Sequence, residues 1–176
     1  GTKRAWSKLE YASVMAMAFS ALLMQQRDAA GLVLFNENVQ RYVPPKATAT
    51  HFSQMAEELV AAETRPKSGL SETFHAMADQ IRRRGLVVIF SDLFGDIYDV
   101  LGGLRHFRHR RHEVVVFHIL DEDEVTFPFE DLTKFEGLEL EPEILADPRG
   151  LREEYLRQFN EFCSRLESGC RETHAD

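Results

Sequence analysis

Two wholly apolar runs separated by a helical segment constrain the fold more than any other feature of this sequence. The first run is Leu-Val-Val-Ile-Phe at residues 86–90 and ends on Ser91-Asp92, and the second lies within residues 113–120. Short uninterrupted apolar runs bounded by turn residues are typical of strands buried on both faces, as in parallel sheets. The two runs therefore predict inner strands of a parallel sheet, joined by a helix over about residues 97–108.

The beginning of the chain predicts a capped helix followed by two strands. Ser7 fits an N-cap and Glu10 the position that closes a capping box. The helix that follows is apolar on nearly every side, which predicts a buried helix lying across a sheet. Strands are predicted at residues 31–35 and 39–43, with the two following prolines ending further pairing.

The remaining segments complete an alternation of helices and strands. Helices are predicted at about residues 50–63, 70–84 and 148–170, and two short strand-like pieces at residues 121–148. Alternating helices and apolar strands are typical of a mainly parallel sheet with helices on both faces. The predicted fold class is α/β, in a single domain over residues 1–176.

Charge and cysteine content restrict the partners and the compartment. The 21 Lys and Arg against 29 Asp and Glu give a net charge of −8, which disfavours nucleic acid as a partner. The longest apolar run, residues 11–24, is too short for a convincing membrane span. Cys163 and Cys170 lie about 10 Å apart on one predicted helix, too far for a disulfide. With no export signal evident, a cytoplasmic protein is expected.

Several segments together resemble a known bacterial family. SKLEYA, GLVLF, VPP, RRRGLVVIFSDL and ADPRGLREEYLRQF occur in the order and spacing of the family called domain of unknown function 58, over about residues 7–170. The resemblance implies a von Willebrand factor A-like (Rossmann-like) fold. Such domains commonly carry a metal-ion-dependent adhesion site, in which an Asp-x-Ser-x-Ser motif, a hydroxyl and a later aspartate hold Mg²⁺ or a similar divalent cation.

The resemblance assigns two metal-ligand positions in this chain. Asp92 matches the late aspartate and Ser68 matches the hydroxyl, although that assignment could move to Ser71 or Thr73. No Asp-x-Ser-x-Ser occurs in the sequence, whereas the family has it on a strand upstream of SKLEYA. We therefore expect a domain truncated at its N-terminus, with an incomplete site. Two protein oxygens replace too little of the hydration shell of Mg²⁺, so binding by this chain alone should be weak or absent.

Each of these features also has a simpler interpretation. Asp92 fits a turn or helix-capping residue as well as a metal ligand. His106, His109 and His112 recur at three-residue spacing among arginines, which fits metal ligands, a pH-sensitive patch, a surface for an acidic partner or, most simply, a solvated basic face. The acidic residues 121–124 fit a hydrated loop or a cation site.

The sequence leaves three functions open. The first is a non-enzymatic protein-interaction module, for which the resemblance implies a MoxR-type AAA+ ATPase as partner and a role in protein assembly or maturation. The second is a metal-assisted hydrolase, such as a phosphoesterase, that uses the same edge of the sheet. The third is a purely structural domain with a vestigial site.

Overall fold

A computed structural model describes residues 6–36, 38–62, 70–129, 133–135, 144–146 and 148–176. The chain divides into two compact units, Gly1–Arg65 and Pro66–Asp176. The first unit contains α1 (Lys8–Gln25), β1 (Ala30–Phe35), β2 (Val39–Lys46) and α2 (Ala49–Val60). The second contains α3 (Leu70–Gln80), β3 (Leu86–Ser91), α4 (Ile97–His109), β4 (Glu113–His118), α5 (Glu122–Thr126), β5 (Thr133–Phe135), β6 (Ile144–Ala146) and α6 (Pro148–Glu172). Within the described ranges no helix is long and apolar enough to cross a bilayer.

The start of α1 confirms the predicted capping box. The Ser7 hydroxyl accepts a hydrogen bond from the Glu10 backbone N–H at 3.2 Å, and the Glu10 carboxylate accepts one from the Ser7 N–H at 2.7 Å. The predicted burial of α1 is wrong, since none of its residues is fully buried and Leu22 is 55 % exposed. An apolar pattern shows what a helix can bury, whereas burial also needs neighbouring surfaces, and within the first unit α1 packs on β1 and α2.

The first unit is built on an antiparallel hairpin of β1 and β2. The predicted end of the second strand at Pro44-Pro45 is wrong, because β2 continues to Lys46, which pairs with Ala30. A register shift follows Ala30, where Gly31 allows the close backbone approach of β2. Proline has no N–H to donate and is tolerated at edges and bulges of this kind.

A small core joins the hairpin to α2. Ala30, Val43 and Met55 are its buried members, with partly buried methionine, leucine and phenylalanine side chains packed around them. His51 of α2 is also buried, and its Nε2 lies 3.0 Å from the Ala30 carbonyl oxygen. Because a carbonyl only accepts hydrogen bonds, His51 carries its hydrogen on Nε2 and ties α2 to β1.

The second unit contains the predicted parallel pair. β3 and β4 run parallel in continuous register, from Leu86 opposite Glu113 to Ser91 opposite His118, with α4 between them in sequence. Mixed helices and strands agree with the α/β class. A mainly parallel sheet is not what the described residues show, since β1–β2 and β5–β6 are both antiparallel pairs.

Helices α3 and α4 pack closely against each other in this unit. Phe74, Leu104 and Phe107 are each 0 % exposed, and the Phe74 and Phe107 rings meet edge to face with centroids 6.0 Å apart. Gly103 makes the close packing possible, because a Cβ atom there would lie 2.5 Å from the Cβ of Phe74. The packing of α3 against α4 holds α4 in place, and with it the loop that connects β3 to α4.

The C-terminal residues of the chain pair with β4. Ala175 bridges to Val114, and the Asp176 N–H donates to the Val114 carbonyl at 3.0 Å.

The segment between β4 and α6 contains the two predicted strand pieces and one helix that was not predicted. β5 and β6 confirm the two strand pieces. The acidic residues before them form α5, because Asp121 and Glu124 make a reciprocal capping box at its N-terminus.

Candidate functional site

The parallel pair β3–β4 brings two chain segments to one edge. Ser91 and His118 are the last residues of their strands and lie opposite each other. The Ile119 N–H donates to the Ser91 carbonyl at 2.9 Å, which extends the pairing one residue further. The loop after Ser91 and the segment after His118 therefore meet at the carboxyl edge of the pair, where open α/β sheets bind their ligands.

Asp92 lies at this edge in a short turn. Its side chain is half-buried, and its Oδ1 lies 3.5 Å from the Phe94 backbone N–H, at the outer limit of a hydrogen bond. The Ser91 hydroxyl accepts a bond from the Leu93 N–H at 3.0 Å. The interpretation of Asp92 as a turn residue thus describes a real contact.

His118 holds the Asp92 loop from the neighbouring strand. Its Nε2 lies 2.9 Å from the Asp92 carbonyl oxygen, so that nitrogen carries the hydrogen and donates it. The ring also packs edge to face on Phe162 of α6, with centroids 6.2 Å apart. The sequence analysis missed this role. The available signal was a lone polar ring at the end of the apolar strand that neighbours Ser91.

The loop after Asp92 combines backbone strain with an exposed aromatic side chain. Leu93 has a φ of 50° and is 0 % exposed, whereas the next residue, Phe94, is 74 % exposed. Tyr98, in the first turn of α4, is 72 % exposed. A left-handed non-glycine residue costs of order 1–3 kcal/mol and tends to occur at functional sites. Exposed aromatic side chains next to such a loop are typical of protein-interaction surfaces.

The metal ligand predicted to lie beside Asp92 is the hydroxyl of Ser68. Ser68 lies outside the described residues, so its proximity to Asp92 stays a prediction. Of the two alternatives, Ser71 lies in α3, and Thr73 lies in the same helix with a side chain that is 1 % exposed. The choice among these three hydroxyls therefore still rests on the resemblance to the family.

The other acidic residues of this edge serve mainly as helix caps. Asp96 caps α4, and its Oδ1 accepts bonds from the Tyr98 and Asp99 N–H groups at 2.8 and 3.3 Å. Asp99 lies in the first turn of α4, where a negative charge is favoured by the helix dipole. Within the described part of the chain, no three His, Cys, Asp or Glu side chains are placed to hold a metal ion together.

The three regularly spaced histidines, two in the last turns of α4 and one just before β4, do not face a common point. His112 is buried, with 2 % exposure, while His109 is exposed. His106 instead contacts His75 of α3, with their Nδ1 atoms 2.6 Å apart. The Asp79 Oδ1 lies 3.5 Å from His106 Nε2, which favours a hydrogen on that nitrogen and makes Nδ1 of His106 the acceptor. His75 was missed by sequence reasoning, because nothing local indicates which helix faces α4.

The two cysteines lie on α6 as free thiols. Burial raises the pKa of both the Cys163 and the Cys170 thiol. Because the thiolate is the nucleophile and the metal ligand, neither side chain is activated for such chemistry at neutral pH.

A family model described as "Protein of unknown function DUF58" matches residues 1–162 of the chain. The chain belongs to this family. Comparison with curated proteins and with solved structures gave no match. The predicted family is confirmed, while the von Willebrand factor A-like fold that it implied stays a prediction.

The metal site implied by the family resemblance can be compared with the ligands that this chain supplies. In this chain the described residues place one of the predicted ligands, Asp92, at the carboxyl edge. One carboxylate does not fit the six oxygen ligands that Mg²⁺ requires. The described donors are therefore insufficient for the implied cation without further protein ligands.

Proposed function

We propose that this DUF58 chain is a non-enzymatic, cytoplasmic protein-interaction module that works with a MoxR-type AAA+ ATPase in protein assembly or maturation. The observation that carries the proposal is the Asp92 loop. It lies at the carboxyl edge of a parallel strand pair, is held by His118 and exposes Phe94 to solvent. A fixed loop with an exposed aromatic side chain has the features of a binding surface.

The proposal includes a von Willebrand factor A-like arrangement around this loop. On the side away from β4, β3 pairs with no strand of the described residues. A further strand on that side would have its carboxyl end next to Asp92 if it ran parallel to β3. The Asp-x-Ser-x-Ser motif expected for the family would then supply the ligands that this chain lacks.

The proposed cation belongs to that completed site. Hydroxyls and waters around a divalent cation leave positive charge uncompensated, so a carboxylate of the partner could complete the coordination. In the proposal, Asp92 and Ser68 are this chain's ligands, and binding of Mg²⁺ by the chain alone is weak or absent.

Binding to the ATPase tests this function. We would measure the affinity for a MoxR-type ATPase encoded by the same genome, with Mg²⁺ present, for this chain and for a version carrying the residues encoded before Gly1. Asp92→Ala should weaken binding of the extended version by roughly tenfold or more, the size expected for disturbing a metal site. Removal of Mg²⁺ should have the same effect.

Asp99→Ala is the matched control, because Asp99 is an exposed carboxylate of the first turn of α4. It should leave the affinity nearly unchanged. Equal losses in the two variants would show a general charge effect in place of a site. Failure of both versions to bind the ATPase would refute the proposed partnership.

A further inference from the structure

A concentration of arginines lies at the opposite edge of the parallel pair from Asp92. Arg82, Arg83 and Arg84 precede β3, and Arg110 and Arg111 precede β4. We call these five residues the arginine edge.

The strand register brings the two arginine segments together. Leu86 and Glu113 are opposite each other, and the Glu113 N–H donates to the Gly85 carbonyl at 3.1 Å. The residues that precede Leu86 and Glu113 therefore lie side by side at the amino edge of β3–β4. The ends of α3 and α4 are also joined there, because an Arg110 guanidinium nitrogen lies 4.0 Å from the Asp79 carboxylate.

Most of the charge at this edge is not neutralised by the residues that the structure describes. All five arginines are exposed. In the described part of the chain, Arg82, Arg83, Arg84 and Arg111 form no salt bridge, and Arg110 alone has one. Like charges repel each other when they lie within the screening length, which is about 8 Å at physiological salt.

Three arginines of α6, in the same unit, are arranged differently. On α6, Arg157, Arg165 and Arg171 each pair with a glutamate three or four residues away. The chain has more acidic than basic residues overall. The chain therefore has enough carboxylates to neutralise the arginine edge. The arginines of that edge are nevertheless exposed to solvent.

We propose that the arginine edge binds a short acidic segment of a partner protein, rich in aspartate and glutamate. Guanidinium groups bind carboxylates in bidentate pairs, which suits Asp and Glu side chains on an extended segment.

The rest of the molecule favours a short acidic segment over nucleic acid. The chain carries a net charge of −8. Acidic residues gather at the far end of the same strand pair, at positions 92, 96, 99 and 121–124. A duplex extends beyond the arginine edge, so its remaining phosphates would face this negative charge. A segment confined to the edge avoids that repulsion.

Binding of a labelled peptide to the full chain tests the inference. The probe is a short fluorescein-labelled peptide of alternating Glu and Gly, titrated by fluorescence anisotropy. The triple variant R82Q/R83Q/R84Q should weaken binding by roughly tenfold, as expected from losing three exposed ion pairs. The control R157Q/R165Q/R171Q removes the same charge from α6 and should weaken binding by less than about threefold.

Several results would overturn the inference. Equal weakening by the two triple variants would show attraction to net charge alone. Tighter binding of a DNA duplex than of the peptide would assign the edge to nucleic acid. Self-association of the chain that the edge variant abolishes would assign it to a second copy. Because this edge is remote from Asp92, peptide binding should persist in Asp92→Ala, which separates this inference from the proposed function.

Discussion

Replacing Phe107 by alanine is expected to lower the free energy of unfolding of the second unit by about 3–5 kcal/mol. The side chain is 0 % exposed and meets the rings of Phe74 and His112 edge to face, with centroids 6.0 and 6.2 Å away. Its removal leaves a cavity between α3, α4 and the start of β4. Urea unfolding followed by circular dichroism measures the loss.

Phe94→Ala is the matched control for this prediction. The same atoms are removed, but from a side chain that is 74 % exposed. The expected change in the free energy of unfolding is within about 0.5 kcal/mol. Similar losses in the two variants would show that Phe107 is not in the core, and the described packing of α3 on α4 would then be wrong.

The second large effect is expected from Gly103→Ala. A Cβ atom at this position would lie 2.5 Å from Phe74 Cβ and 2.7 Å from its Cδ2, so α3 and α4 must move apart. Phe74 is fully buried, so its side chain cannot move aside into solvent. We expect a packing loss of about 1–3 kcal/mol, measured by the same urea unfolding.

The neighbouring residue supplies the control, since a Cβ atom at Gly102 would meet nothing within 4 Å. Gly102→Ala should therefore show the helix-propensity gain alone, up to about 1 kcal/mol of stabilisation. The difference between the two variants isolates the packing term. If Gly103→Ala were as stable as Gly102→Ala, the close approach of α4 to Phe74 would not exist.

Local signals in the sequence predicted local structure well. Ser7 and Glu10 form their capping box, because this contact involves residues only three positions apart. The parallel orientation of β3 and β4 also follows from local patterns, since two similar apolar runs joined by a helix favour parallel pairing.

Features that depend on distant neighbours were not predictable in this way. The exposure of α1 depends on which surfaces pack against it, and the continuation of β2 past its prolines depends on the register shift in β1. The His75–His106 contact joins two separate helices, so no local pattern in the sequence indicates it. His118 is visible in the sequence as a polar ring at the end of an apolar strand, but its hydrogen bond to the Asp92 loop depends on the pairing of β3 with β4.

The candidate site likewise has one residue that local sequence predicted and one that it did not. Asp92 was predictable because it ends an apolar strand, and its place at the carboxyl edge follows from the parallel pairing. Its partner hydroxyl was assigned by resemblance to the family. The distance between residues 68 and 92 is therefore the quantity on which the account depends.

Thiol crosslinking measures that distance most directly. Cys163 and Cys170 are replaced by serine, Ser68 and Asp92 by cysteine, and a maleimide crosslinker spanning about 8 Å is added, within the range expected for ligands of one cation. The control pairs the cysteine at residue 68 with one at residue 84, which precedes β3 and is therefore separated from residue 92 by the length of that strand, about 17 Å at 3.3 Å per residue. We expect rapid crosslinking of residue 68 to residue 92 and none of residue 68 to residue 84. Crosslinking of 68 to 84 alone would place the hydroxyl at the arginine edge and contradict the proposed site.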